Sequence, residues 1–564
     1  MRHQRQGVVR TFPAVLALAC VATAGAGRAA AESLLYVLTP QPERGTLKVE
    51  LSWETAGRET SALGVSPSWG TLKDVPSVLR NTGFMGTTSA RQQGPLWILR
   101  HGRGATINCV YEVNPGVRQF DWEHTHHPIT TPELFCGMGN AFLLVPHEQN
   151  GVSERTFEVV LRWRLPAGWR AACSWGAGRT LGDNVRAVDL RNSVYVAGDL
   201  ATGTFRRDGQ TLDIAMSRRF GFDIDEFGEK ALEIIKVQCD FMGETAFPPF
   251  VISAIPVGEP LPPEDTRIAG TGLYHSFALY IPPQARLNSG VEQLFSHELF
   301  HFWNGRILRA ADPERLMFWW IEGFTDYYAL RLLYEGGVWD AATYAGWLNR
   351  HLRDYAQNPA INATNEEILE RFWTHRDTYG EVAYQRGQAL GLRWHRLARQ
   401  RGVSDGIDRL LKTLVAQQRT GGAPLSNADV RRAGVRALGD WFGGEFDEYV
   451  GAARAVDVPT DALAPEIVGE LAQVHEYDPG FDRVATLRDK RVRGLRAGSA
   501  AAAAGLREGD RVSAWQLHPD PQRECSLTVQ REGRSETIRF FPRGRNLAVV
   551  QFAPASPTNT SSEP

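Results

Sequence analysis

The stretch Ser289–Gly305 reads SGVEQLFSHELFHFWNG. Apolar or aromatic residues fall at Val291, Leu294, Phe295, Leu299 and Phe302, the three- and four-residue spacing of a helix with one buried face. His297 and His301 lie four apart, so one helical turn stacks both imidazoles on the same side. Such a pair can present two nitrogens to one cation, and Glu298, about 100° round the helix, can lean on a water held there. Two histidines packed in a core would satisfy the same spacing, so the rest of the chain has to decide.

A tetrahedral zinc site that keeps a position for water needs a third protein ligand. FWWIEGFTDYYALRLLYEGG, beginning at Phe318, has the pattern of a second amphipathic helix, with Glu322 near its start and Asp326 one turn later on the same face. The surrounding aromatics would bury the Glu322 carboxylate, and a buried charge must be paired or metal-bound. Glu322 can therefore complete a two-histidine, one-glutamate set. Asp326 can accept the second N–H of a ligating imidazole, the outer contact that fixes the tautomer and raises ligand basicity.

HELFHFWNGRI followed by WWIEGFTDYYALRL resembles the gluzincin (HExxH...E) clan of zinc metallopeptidases, and within it the glycyl aminopeptidase family. In that family a β-rich N-terminal domain precedes the catalytic domain and a PDZ domain follows it. The resemblance implies one Zn²⁺ per chain on His297, His301 and Glu322, with Glu298 as general base. TYGEVAYQRGQALGLRW is similar to the segment in which clan members keep a tyrosine that hydrogen-bonds the tetrahedral intermediate, and Tyr384 matches it. AGTGLYHSFALY stands in the place of the family's Gly-Gly-Leu-Glu-His segment, which lines the cleft and makes Gly272, Tyr274 and His275 candidates for substrate binding. Tyr274 replaces the glutamate that anchors the substrate's α-amino group. A phenol hydrogen-bonds an ammonium without neutralising it, so exopeptidase and endopeptidase action both stay open. The implied mechanism is metal-assisted peptide hydrolysis, with Glu298 acting as base and then acid and Tyr384 stabilising the oxyanion.

Away from these motifs, Glu32 to about Met216 alternates with period two, as in TFEVVLRWRL, where Phe157, Val159, Leu161, Trp163 and Leu165 share one face. Asp208-Gly209 is a hairpin signal. Near Phe222 the period becomes helical and stays so to about Val450. The expected fold is multidomain: a β-rich N-terminal domain (32–216), a mainly α-helical thermolysin-like catalytic domain (217–460), a linker (461–472) and a PDZ-like α+β domain (473–553). A disordered tail (554–564) follows. VRGLRAGSAAAAAGLREGDRVSAW, from Val492, resembles the core of a PDZ domain and implies a module that could capture an extended C-terminal peptide.

The 564 residues are 43% apolar, ample for packed cores, and their formal charge of -2 supplies no field to attract nucleic acid. MRHQRQGVVR, then apolar TFPAVLALACVATAGAG and Ala29-Ala30-Ala31, reads as a secretory signal peptide (1–31) whose core falls short of the roughly 20 residues a span needs. The expected location is exported, periplasmic or secreted; LALAC at Leu16–Cys20 only faintly resembles a lipoprotein signal. No later segment is apolar enough to span a bilayer, so the mature chain is expected to hold no integral membrane segment. The five cysteines after Cys20 show neither a disulfide framework nor zinc-finger spacing. EHTHHP at Glu123–Pro128, histidine-rich but without helical spacing, reads as a surface loop. The expected partner is a peptide or protein substrate. A non-catalytic scaffold that binds peptides in its cleft or PDZ-like module is the reading from another class.

Overall fold

The computed structural model describes residues 32–148, 151–245, 247–258, 268–283, 285–518 and 520–555. The expected signal peptide lies outside the described residues, as does the expected tail beyond residue 555. Alternation in the first half becomes strands: Thr156–Trp163 buries every second residue. That strand runs parallel to Ser33–Gln41, which pairs antiparallel with Thr46–Glu54, inside a six-stranded sheet. Two five-stranded sheets pack with it around a core that includes Trp53, Tyr36, Tyr111 and Phe142.

A further five-stranded sheet runs Leu200–Arg207, Gln210–Ser217, Phe250–Pro256, Ser276–Ile281, Ala269–Leu273. Its first hairpin turns at Asp208 and Gly209, with φ of 50° and 81°, as the dipeptide predicts. Helix α1 (Ile224–Met242) is the crossover that makes Gln210–Ser217 and Phe250–Pro256 parallel. This sheet straddles the expected boundary at 216/217. The change of hydrophobic period marks where α1 begins, whereas the unit that packs beneath the site takes in the two strands before it.

Helix α2 (Ser289–Phe300) starts at Asn288, whose Oδ1 accepts from the N–H groups of Gly290 and Val291. Helices α3 (Gly323–Glu335), α4 (Ala341–Gln357) and α5 (Glu381–Gln400) follow, sharing one core with α1, α2 and the sheet. Helices α3 and α5 meet glycine to glycine. A Cβ on Gly323 would lie 2.6 Å from the Cα of Gly387, and one on Gly387 would lie 1.9 Å from the carbonyl oxygen of Trp319. This crossing seats Tyr384, one turn before Gly387, beside the start of α3.

Beyond the helices, Ile467–Tyr477 and Arg543–Pro554 form an antiparallel ribbon. The ribbon packs on α4: Asn349 donates to the carbonyl of Phe552 and accepts from its N–H. The stretch 461–472, expected as a linker, thus contributes half a strand and part of the helical core, including Ile467. The remaining C-terminal residues make a three-stranded sheet and two short helices, Arg483–Asp489 and Ala500–Ala503, over a small core with Phe481, Leu527 and Phe540. The five described cysteines are all buried and unbridged. Among the described residues no helix is long and apolar enough to cross a membrane.

The glycine contact gives a first prediction. Gly387→Ala should cost about 3 kcal/mol, because backbone has to move to admit the methyl group. Gly346→Ala, on the exposed face of α4 with nothing within 4 Å, should gain about 1 kcal/mol. Denaturant unfolding followed by tryptophan fluorescence checks both; a neutral Gly387→Ala would mean that the helices are not in contact.

Candidate metal centre and cleft

His297 lies in the last turn of α2 and His301 directly follows it, still αR at φ -59° and ψ -16°. Glu322 sits at the joint between a short helix, Phe318–Ile321, and α3. The structure brings the three together. The two Nε2 atoms are 3.0 Å apart, and Oε2 of Glu322 is 3.4 Å from that of His297 and 3.5 Å from that of His301. Among the described residues this is the only group of His, Cys, Asp and Glu side chains that could hold a metal ion.

The far side of each ring decides what the near side offers. Nδ1 of His297 lies 2.8 Å from Asp326, which Gln293 also contacts at 3.0 Å. Nδ1 of His301 lies 3.0 Å from the carbonyl of Asn304, which can only accept, so that nitrogen carries the proton. Neutral rings so tied turn both Nε2 lone pairs inward. Two such nitrogens at 3.0 Å need a positive particle between them, a proton or a metal ion, and the third donor favours an ion that all three reach. Donors about 2.0–2.2 Å from a tetrahedral zinc are about 3.3–3.6 Å apart, close to the separations seen, so the residues fit that ion.

The electrostatics agree. Burial lowers both imidazole pKa values, but Asp326 and Glu322 around His297 hold it well above its ordinary value, and Glu322 raises His301. Burial raises Glu322, yet His301 and His297 bring it well below the carboxylate range. The site attracts positive charge.

Asn304 is completely buried, and its Nδ2 donates to the carbonyls of Trp320 and Ile321 and to Oγ1 of Thr325. It therefore ties the turn after His301 to the turn that carries Glu322. The chain leaves helical geometry at Asn304 (φ -101°, ψ 79°) and Gly305 (φ 149°, ψ -47°). Only glycine tolerates the second of these, and a Cβ there would also lie 3.2 Å from Nδ1 of His301.

Glu298 projects under the hairpin Ala269–Leu273/Ser276–Ile281. A Cβ on Gly270 would lie 2.2 Å from its Oε1, and one on Gly272 3.2 Å from its Oε2, so the two glycines are a cradle for this carboxylate. Burial raises the Glu298 pKa, while His297 and His301 pull it down. The Tyr384 ring stacks on His297 at 6.0 Å, and its oxygen accepts from Arg376 at 3.4 Å.

His297, His301, Glu322, Glu298 and Tyr384 open on a cleft of about 1020 Å³, which is also lined by Trp69, His126 and Asp189 from the N-terminal half. Tyr274 sits on this cleft at the tip of the hairpin, its ring stacked on His275 at 4.3 Å; His275 has φ 43° and also packs against Phe302. Arg306 lies over Tyr274 with its guanidinium 4.4 Å from the ring centre. The EHTHHP stretch holds a bond between His124 and Asp121 at 2.7 Å and sends His126 into the cleft wall, with no group there able to bind a metal. Burial pushes the His126 pKa down to about 4.

Residues 291–375 match the family model described as M61 glycyl aminopeptidase. The chain is a zinc metallopeptidase. Of the solved structures similar to this metallopeptidase, an aminopeptidase N family protein from Idiomarina loihiensis superposes with a TM-score of 0.64 at 16% identity, over 93% of this chain and 98% of that one. That likeness establishes a shared multidomain fold, a β-rich N-terminal part followed by a helical region. An M1 zinc metallopeptidase from Deinococcus radiodurans gives 0.49 at 17% identity, over 76% and 93% of the two chains. No curated protein matches the metallopeptidase.

Asn304, Gly270, Arg306 and the N-terminal wall of the cleft were not foreseen. The one signal within reach was the Asn-Gly pair at 304–305, a turn dipeptide directly after a helix. The outer contact to His297 yields a prediction: Asp326→Asn should lower zinc affinity about 10- to 100-fold with the fold intact. Competition against a chromogenic chelator measures it, and unchanged affinity would remove Asp326 from the centre.

Proposed function

We propose that this metallopeptidase is an exported enzyme that hydrolyses peptides in an aminopeptidase-like manner, with one Zn²⁺ per chain on His297, His301 and Glu322. The observation that carries the reading is the meeting of these three donors, each imidazole tied from behind, beside a cradled glutamate in a cleft of peptide dimensions. Bound zinc would supply a Lewis acid that polarises the scissile carbonyl and acidifies water.

This chain's residues do the rest. Among the described residues the Ala269–Leu273 strand pairs on one side only, with Ser276–Ile281, and its outer edge can take an extended peptide as an added strand. Glu298 removes a proton from the attacking water; burial makes its carboxylate a stronger base than an exposed one. The same carboxyl group then passes that proton to the departing amine. Tyr384, its phenol kept neutral by burial, donates to the oxygen that becomes negative in the transition state.

Tyr274 favours a second reading, endopeptidase action, since it offers no charge to a substrate ammonium. The compact C-terminal unit fits a PDZ-like module, with Ser499 capping the helix Ala500–Ala503. Capture of a C-terminal peptide there, and the division 32–216, 217–460 and 473–553 adjusted for the shared sheet and ribbon, belong to the same proposal.

Glu298→Gln should reduce kcat/KM on short peptides about a thousand-fold while metal analysis still finds one zinc per chain. Full activity in that variant would end the proposal. Tyr384→Phe should lower kcat about a hundred-fold with little change in KM. Comparing free with N-acetylated peptides separates the two specificities: equal rates would select the endopeptidase.

A further inference from the structure

We propose that Arg306, seated on Tyr274, makes a carboxylate-binding subsite in the cleft, so that favoured peptides carry an acidic group where they pass the hairpin tip. The inference deepens the peptidase reading and rests on it. The guanidinium carbon lies 4.4 Å from the centre of the Tyr274 ring and 5.7 Å from that of Phe302. A guanidinium carries its N–H groups in its own plane, where a carboxylate can take two in parallel. Among the described residues it forms no direct ion pair with a carboxylate; the Tyr274 hydroxyl is its side-chain partner, Nη1 is buried without one, and the guanidinium lines the cleft.

The neighbouring carboxylates are bonded directly to another arginine. Asp189 is taken by Arg186 through two bonds of 2.8 Å each, and Glu154 by the same arginine at 3.1 Å. Asp189 and Glu154 together carry one more charge than Arg186 balances, and Arg306 offsets that excess at a distance, Asp189 favouring its charged form, without a direct ion pair to either carboxylate among the described residues. A peptide carboxylate would supply Arg306 with a direct ionic acceptor that neither neighbouring carboxylate gives it.

The test is equilibrium binding to Glu298→Gln protein, in which peptides survive the titration. Fluorescent pentapeptides, N-acetylated and C-amidated, carry one Glu at each position in turn, each with a Gln counterpart; a third set has a free C-terminal carboxylate. At one position the Glu peptide should bind about ten-fold tighter than its Gln partner. That ratio should fall to near one in Arg306→Gln and survive in part in Arg306→Lys, with near-UV circular dichroism showing both variants folded. A preference confined to the third set identifies the carboxylate as a chain terminus and supports the subsite equally. Ratios near one throughout, or a preference that persists in Arg306→Gln, overturn it. Failure of the peptidase reading shows separately, as no hydrolysis by the zinc-loaded wild-type protein while the binding preference stands.

Discussion

Both imidazoles of the centre are held from behind, His297 by the Asp326 carboxylate and His301 by a main-chain carbonyl, and the rest of the site depends on those two bonds. Each leaves its Nε2 lone pair pointing inward, and without them the rings could turn away or take the other tautomer. The first bond comes from the helix that supplies Glu322. The second comes from the turn after His301, which Asn304 fastens to the joint at Trp320 and Ile321. The two ligand-bearing helices are thereby locked into one block, and the spacing of the donors becomes a property of that block.

Much of the chemistry was legible in the sequence because it is local. A four-residue spacing on a helix fixes His297 against His301 and Glu322 against Asp326 without knowledge of the fold, and aromatic neighbours mark the glutamate as buried. What could not be read depends on contacts across long separations or on backbone atoms. Asn304 acts on His301 through its carbonyl, which every residue possesses. Gly270 and Gly272 matter because Glu298, more than twenty residues later, fills the space a side chain would take. The boundary at 216/217 misled for a related reason: periodicity reports the secondary structure of a segment and says nothing of the layer on which it packs.

Chemistry and recognition are drawn from different parts of the molecule. The ligands, Glu298 and Tyr384 stand on three helices of one core, whereas part of the cleft lining comes from loops of the N-terminal half, Trp69 and His126 among them. Helices packed glycine to glycine give the positional precision that metal ligation needs. Loops can vary without disturbing that packing. The departure at Tyr274 follows this division: the residue lies on a hairpin tip and makes none of the bonds that orient the ligands.

The turn Phe302–Ile307 is where the two functions meet. Asn304 faces inward, completely buried, and sets the His301 ring; Arg306, two residues on, lines the cleft over Tyr274. Between them Gly305, at φ 149°, breaks the helical path. A helix continued through this point would carry Asn304 and Arg306 about 200° apart round its axis, but it would direct the Asn304 carbonyl along that axis and away from His301. Breaking the helix just after the second histidine therefore gives the ring its acceptor, while Arg306 from the same turn still reaches the cleft.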